Sequence, residues 1–454
     1  MKELTQGSPI KLIIFFTIPL LIGNVFQQLY ATVDMIIVGQ TLGTNALAAV
    51  GATGSINFLL VGFAVGLTSG LSIVTAQRFG ARDEKGVKTS FATSILLSGI
   101  VTIVLTILSI LLVRPMLELM QTPAQIIDQS QQFITVILAG IFCTVSFNLL
   151  SNVIRALGDA KTPLVFLIIA TLINIGLDFF FILFLNMGVA GAGLATILAQ
   201  LIASILCLIY IYRKIPLLQI SKKDFAFITK EDLKTHARLA FPMAFQSSII
   251  AIGAIVLQIA INTLGTDAVA ANTAASRIDQ FAILPTMSFG VTMATFAAQN
   301  LGAKKYDRII KAIKQGLMLS ISFSIFIGAI VIIFGQVLAR MFVSASEFRV
   351  LELVQTYFNI NASMYWVLAI LFILRFTLQG LGQAAVPTIA GVMELIMRVV
   401  AAIFLTQLFG YSGAVSANPL AWIGSVSVLA YSSIKAMKQL RKLELKQKEV
   451  GEIG

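Results

Sequence analysis

"LGTNALAAVGATGSI" at residues 42–56 returns at residues 264–278 as "LGTDAVAANTAASRI", with Leu, Gly, Thr and four alanines in register at an offset of 222. The register continues: "AQRFGAR" at 76–82 aligns with "AQNLGAK" at 298–304 at that same offset. "LGDAKTP" at 157–163 aligns with "LGQAAVP" at 381–387 at an offset of 224. A period of half the chain is the mark of a duplicated unit, and what lies between the motifs says what that unit is made of.

Of the 454 residues 58% are hydrophobic and only 11% charged, and the mean hydropathy is +0.94, outside the range of soluble globular chains. Apolar blocks long enough to cross a hydrocarbon core as helices recur along the sequence. Twelve are expected, at 11–34, 46–75, 90–113, 130–154, 163–186, 190–212, 238–262, 268–296, 315–342, 353–378, 385–408 and 411–434. The fold class read from this is an all-α polytopic membrane protein of two homologous six-helix bundles. The expected division is an N-terminal lobe over 1–212, a linker over 213–237, a C-terminal lobe over 238–437 and a basic tail over 438–454. Because six crossings return the chain to its starting side, the copies are related by an axis along the membrane normal, the plan of transporters that rock two lobes about a central cavity.

The net charge of +12 is a topology signal and not a nucleic-acid footprint. With both termini on one side, 27 of the 32 Lys and Arg fall on that face, counting Arg375, and three on the other, which makes the basic face cytoplasmic. Cys143 and Cys207 both lie in apolar spans and read as core-filling residues. His236 stands among charged residues before the seventh span and reads as solvated. Gly62, Gly66 and Gly70 form a small-residue ladder on the second span for close helix approach. "GARDEKGVKTS" lacks the spacing of a phosphate loop, so ATP hydrolysis has no support, and no His cluster, Ser/His pairing or metal-ligand spacing points to an enzyme.

The repeats, "VDMIIVGQTLG" after the first helix and "RALGDAKTP" together resemble the multidrug and toxic compound extrusion (MATE) transporters over residues 5 to 440. The resemblance implies a V-shaped pair of six-helix bundles that export drugs by antiport against sodium ions or protons.

Ionised side chains in hydrocarbon are unfavourable, so each one calls for a partner or a task. Gln27, Tyr30 and Asp34 are spaced by three and four residues and form one stripe on the first helix, which Pro19 is expected to bend. Asn174 and Asp178 share a face of the fifth span. Thr196 on the sixth and Asn148 and Asn152 on the fourth add oxygens. Hard oxygen ligands suit a small cation, or a proton shared by two acids. In members with a cation site in the N-terminal lobe, the resemblance puts that site at Asp34, Asn174, Asp178 and Thr196, holding H+ or Na+. It matches Pro19, Gln27 and Tyr30 to a bendable first helix. Where other branches carry an acid on the seventh helix, this chain has Gln246. Glu394 and Arg398, four apart, read as a structural pair; Arg277 and Asp279 are assigned to the cavity wall.

The function expected is a secondary exporter of amphipathic, often cationic compounds, monomeric, in the plasma membrane among lipids, with no cofactor beyond the coupling ion. The alternative is a flippase for a lipid-linked oligosaccharide or other amphipathic lipid. It would need a strongly cationic cavity, whereas the intramembrane charges of the N-terminal lobe are acidic.

Overall fold

The computed structural model describes residues 3–344 and 346–453. Among these the regular structure is entirely helical. The membrane spans are α1 (Pro9–Leu42), α2 (Gly54–Gly80), α3 (Glu84–Leu119), α4 (127–156), α5 (Lys161–Phe184), α6 (Gly188–Lys214), α7 (Lys230–Asn262), α8 (Thr266–Gly302), α9 (Tyr306–Ala339), α10 (Phe348–Gly380), α11 (385–409) and α12 (411–449). Several overrun the expected spans by ten residues or more, because hydropathy ends at the hydrocarbon boundary while helical hydrogen bonding continues into the interface. Span α4 is two helices, Ile127–Ala139 and Ile141–Ala156, bent by 45° at Gly140. Spans α11 and α12 meet at Gly410, whose φ of 57° no ordinary helical residue adopts.

The duplication is written into the backbone. Arg82 and Lys304, 222 residues apart, are both left-handed, with φ of 58° and 54°. Each closes its helix in the same way: Asp83 N–H donates to the Arg78 carbonyl at 3.1 Å, and Lys305 N–H to the Asn300 carbonyl at 2.8 Å. These are equivalent helix-ending motifs on α2 and α8. Gly158 and Gly382 (φ 88° and 82°) repeat the arrangement before α5 and α11, which begin at Lys161 and Ala385, 224 residues apart.

The chain forms two compact units, and their borders depart from a simple cut at the linker. One is built on Ile22–Ser248, the other on Leu4–Leu21 with Ile249–Gly454. The first half of α7 therefore belongs with α2–α6. The glycine ladder of α2 is the reason: a Cβ on Gly66 would lie 2.5 Å from the Met243 carbonyl oxygen, and one on Gly70 2.6 Å from the Ala240 Cα. Reciprocally, the start of α1 belongs with the second unit. Thr17 Oγ1 is 2.8 Å from Thr292 Oγ1, Leu4 N–H donates to Gln299, and Arg308 donates to the Gly7 carbonyl at 2.7 Å.

His236 is not solvated. It is fully buried, with Nε2 2.7 Å from Ser90 Oγ and Nδ1 2.7 Å from the Asp232 carbonyl. Helical spacing places it on the buried stripe of Leu239, Ala240, Met243 and Ala244, so its charged sequence neighbours face elsewhere. An Arg78–Asp232 ion pair lies beside it. Arg375 likewise leaves the exposed basic face: it is 5% exposed and donates to Glu394 Oε2 at 2.7 Å.

Candidate functional site

In the first unit α1, α5 and α6 bring four of the expected residues together. Asn174 and Asp178, one turn apart on α5, are both wholly buried, and Asp34 on α1 is half-buried. The carboxyl of Asp178 adjoins that of Asp34, and Tyr30 lies beside both acids. Tyr30 Oη donates to Thr196 Oγ1 at 2.9 Å, and that hydroxyl donates to the Ala192 carbonyl at 3.1 Å. The α-helix of α5 gives way to a π turn at Phe180–Phe184, which begins two residues after Asp178. Such turns are frequent at functional sites, and hydropathy carries no trace of them.

The site is polar beyond its own means of satisfaction. Among the described residues, Asp34 Oδ1, both Asp178 oxygens, and Asn174 Nδ2 and Oδ1 are buried with no hydrogen-bond partner. Buried groups of this kind are each unfavourable by about 1–3 kcal/mol, and helices with no task at this spot would carry apolar side chains. Two carboxyls, an amide oxygen and hydroxyls make a hard donor set, suited to protons or to a small cation with oxygen ligands. Among the described residues no three His, Cys, Asp or Glu side chains come together as a metal cluster.

One turn away, Gln27, Tyr30, Asn148, Thr171 and Gln200 line a cavity of about 30 Å³, large enough to admit water. Thr171 and Gln200 were not singled out in the sequence; both fall on the helical face of Asn174 and Thr196 respectively, which is the signal that marks them. Asn152 does not join this group: its amide reaches Thr68 at 3.3 Å and Ser69 at 3.4 Å, and its oxygen accepts from Arg155. Pro19 is buried within α1, which stays helical through it, in the stretch that packs with the second unit. Gln246 is buried on α7.

In the second unit Arg277 is exposed and Asp279 buried, so the two do not act as neighbours. Asp279 accepts from Tyr357 Oη at 3.0 Å and from Tyr365 Oη. Glu394 pairs with Arg398 at 3.0 Å, as their spacing predicts, and Arg375 joins from α10 to make a buried triad that Ser425 also touches.

The comparisons with known proteins agree with this architecture. The family model MatE matches residues 19–180 and 242–404, one match in each repeat. "Probable multidrug resistance protein YoeA" of Bacillus subtilis (strain 168) is 27% identical over 388 residues, covering 84% of this chain and 83% of that protein. "Probable multidrug resistance protein YpnP" of the same organism is 28% identical, covering 76% and 77%. A solved structure described as "Crystal structure of MATE in complex with MaL6" superposes with a TM-score of 0.89 at 24% identity, covering 97% of this chain and 99% of that one. Two matched halves, twelve spans and the shared fold lead to one assignment: the chain belongs to the MatE family of membrane transporters.

Proposed function

We propose that the protein exports amphipathic, often cationic small molecules by antiport against protons or sodium ions. The two lobes alternate access, and the ion loads at Asp34, Asn174, Asp178 and Thr196. The observation that carries this reading is the adjoining pair of half-buried Asp34 and buried Asp178, with the unpartnered Asn174 amide one turn before Asp178. Acids placed in a membrane without a fixed counter-charge need an exchangeable one.

Tyr30, one turn from Asp34 and bonded to Thr196, ties α1 to α6 and senses the charge at both acids. Neutralising the pair lets α1 settle against α5 and α6; unloading it restores a negative surface to which a cationic compound is drawn. Drug and coupling ion then compete through charge, which is what antiport requires. Gln27, Asn148, Gln246 and Arg277 supply polar contacts to the drug, Pro19 allows α1 to flex, and methionine and phenylalanine walls adapt to cargo of varied shape. The relatives named as multidrug resistance proteins support this cargo class. The acidic character of the loading site favours organic cations over the pyrophosphate of a lipid-linked sugar. The protein works as a monomer in the plasma membrane among lipids, with both termini cytoplasmic, as the distribution of Lys and Arg implies.

The test is dye efflux from everted vesicles under separately imposed proton and sodium gradients. Asp34→Asn keeps the shape of the side chain but cannot exchange a proton, and it is expected to abolish gradient-driven transport while the protein still inserts and folds. Efflux at the wild-type rate in that variant overturns the assignment.

A further inference from the structure

The second unit holds a buried carboxyl that the proposed loading site does not use. Asp279, in the middle of α8, is 8% exposed and among the described residues makes no ion pair. Each of its oxygens instead accepts a phenolic O–H: Tyr357 donates to Oδ2 at 3.0 Å, and Tyr365 donates to Oδ1. Both tyrosines are themselves buried, at 2% and 3% exposure.

Their positions on α10 give the arrangement its meaning. The α-helix of α10 is interrupted by a 3-10 turn at Ala362–Met364, and Tyr357 lies on one side of that break, Tyr365 on the other. Asp279 therefore bridges the two halves of an interrupted helix from a neighbouring one. The break is held on two further sides. Gly328 of α9 approaches so closely that a Cβ there would lie 2.6 Å from the Ala362 carbonyl oxygen, and Asn361 donates to the Val415 carbonyl of α12 at 3.2 Å.

An ionised carboxylate only accepts hydrogen bonds, so two phenols can both donate to it and together stabilise its charge without a cation. Proton uptake turns one oxygen into a donor. That oxygen is then a weaker acceptor, so the tyrosine facing it loses a charge-assisted bond and becomes free to turn away. The clamp has two charge-assisted arms in the ionised state and a loosened one in the protonated state.

We propose that Asp279 is a proton-binding site of the second unit, and that its protonation releases one of the two tyrosine arms spanning the break in α10. The groups that face it are few. Tyr357 and Tyr365 come from α10, with Tyr411 of α12 behind Tyr357 and Ser276 of α8 at its side. Arg277 points to the exposed face, the acidic and basic residues of α9 stand at its first turns, over 307–314, and Glu394 is held between Arg375 and Arg398. Tyr411 Oη is buried with no hydrogen-bond partner among the described residues and offers a landing place for the freed Tyr357 hydroxyl.

The site is tested apart from the loading acids by working in an Asp34→Asn/Asp178→Asn background, purified in detergent. Trp366 adjoins Tyr365 in sequence and reports on the break by fluorescence once Trp422→Phe removes the other indole, while the infrared band of the protonated carboxyl reports the proton itself. A single-proton transition is expected in both signals when the pH is titrated from about 4 to about 9.5. It persists in that background and disappears on Asp279→Asn. Tyr357→Phe and Tyr365→Phe each remove one donor to the charged form and move the midpoint upward by about one pH unit or more. Should Asp279→Asn fail to accumulate as folded protein, the two tyrosine variants decide. The proposal is overturned if the transition is missing, if it vanishes with Asp34 and Asp178, if it survives Asp279→Asn, or if neither tyrosine variant moves it.

Discussion

Alanine at Gly66 or Gly70 would place a methyl group against the backbone of α7. The distances from the added Cβ are 2.5 Å to the Met243 carbonyl oxygen and 2.9 Å to the Ala244 Cα at position 66, and 2.6 Å to the Ala240 Cα and 2.9 Å to the Leu239 carbonyl oxygen at position 70. Carbon atoms in contact stand about 3.5–4.0 Å apart, so α2 and α7 have to separate locally by about 1 Å. The atoms in the way are backbone, which no rotamer change can clear. Overpacking of this kind is unfavourable by about 1–3 kcal/mol. Gly62, one turn earlier on the same ladder, is the internal control: its nearest neighbour is the Ser247 Cβ at 3.7 Å, an ordinary contact. There alanine should gain the helix propensity that glycine lacks, about 0.5–1 kcal/mol. Thermal unfolding of the purified variants in detergent should therefore rank Gly62→Ala at or above wild type, with Gly66→Ala and Gly70→Ala clearly below. The first half of α7 would be loosened from the first unit as well, which limited proteolysis near Lys230 would register. Equal melting of all three alanine variants would refute the packing argument.

Two further outcomes follow from the charges. Asp178→Ala should impair transport far more than Gln246→Ala, because on the proposed reading the first removes a loading oxygen and the second a neutral contact; the reverse order of severity in dye efflux would move the ion site to another helix. Glu394→Ala leaves the guanidinium groups of Arg375 and Arg398 buried at 5–6% exposure without their counter-charge, a loss of about 3–5 kcal/mol, so folded yield should collapse. A triple replacement by Met and Leu should recover much of it.

The amount of this that could be read from sequence varied with the physics involved. The repeat was fully legible, because both copies need the same left-handed residues to end the same helices: Arg82 with Lys304, and Gly158 with Gly382. The polar stripe of α1 and the Asn174 and Asp178 pair were legible because helical spacing fixes which residues share a face. The exchange of the first halves of α1 and α7 between units was not. It depends on which backbone the Gly66 and Gly70 surface meets, and a small-residue ladder announces close approach without naming its partner. His236 was misread for a related reason: its neighbours in sequence are charged, while its neighbours along the helix are the apolar Leu239, Ala240 and Met243. Asp279 could be seen as an acid out of place, but Tyr357 and Tyr365 lie 78 and 86 residues away on another helix, and no local spacing joins them to it.

The central claim is that drug and coupling ion compete through Asp34 and Asp178, and it is tested most directly by equilibrium affinity. Binding of a fluorescent lipophilic cation such as ethidium to purified protein should be measured over roughly pH 5.5 to 8.5, with and without sodium, for wild type and Asp34→Asn; linkage requires that the ion change drug affinity by the same factor as the drug changes ion affinity, at least about fivefold for an effective coupling. In wild type the affinity should fall as protons or sodium load the pair, and in Asp34→Asn the dependence should flatten. Wild-type affinity that is level in both pH and sodium, or a dependence that Asp34→Asn leaves intact, would contradict the account.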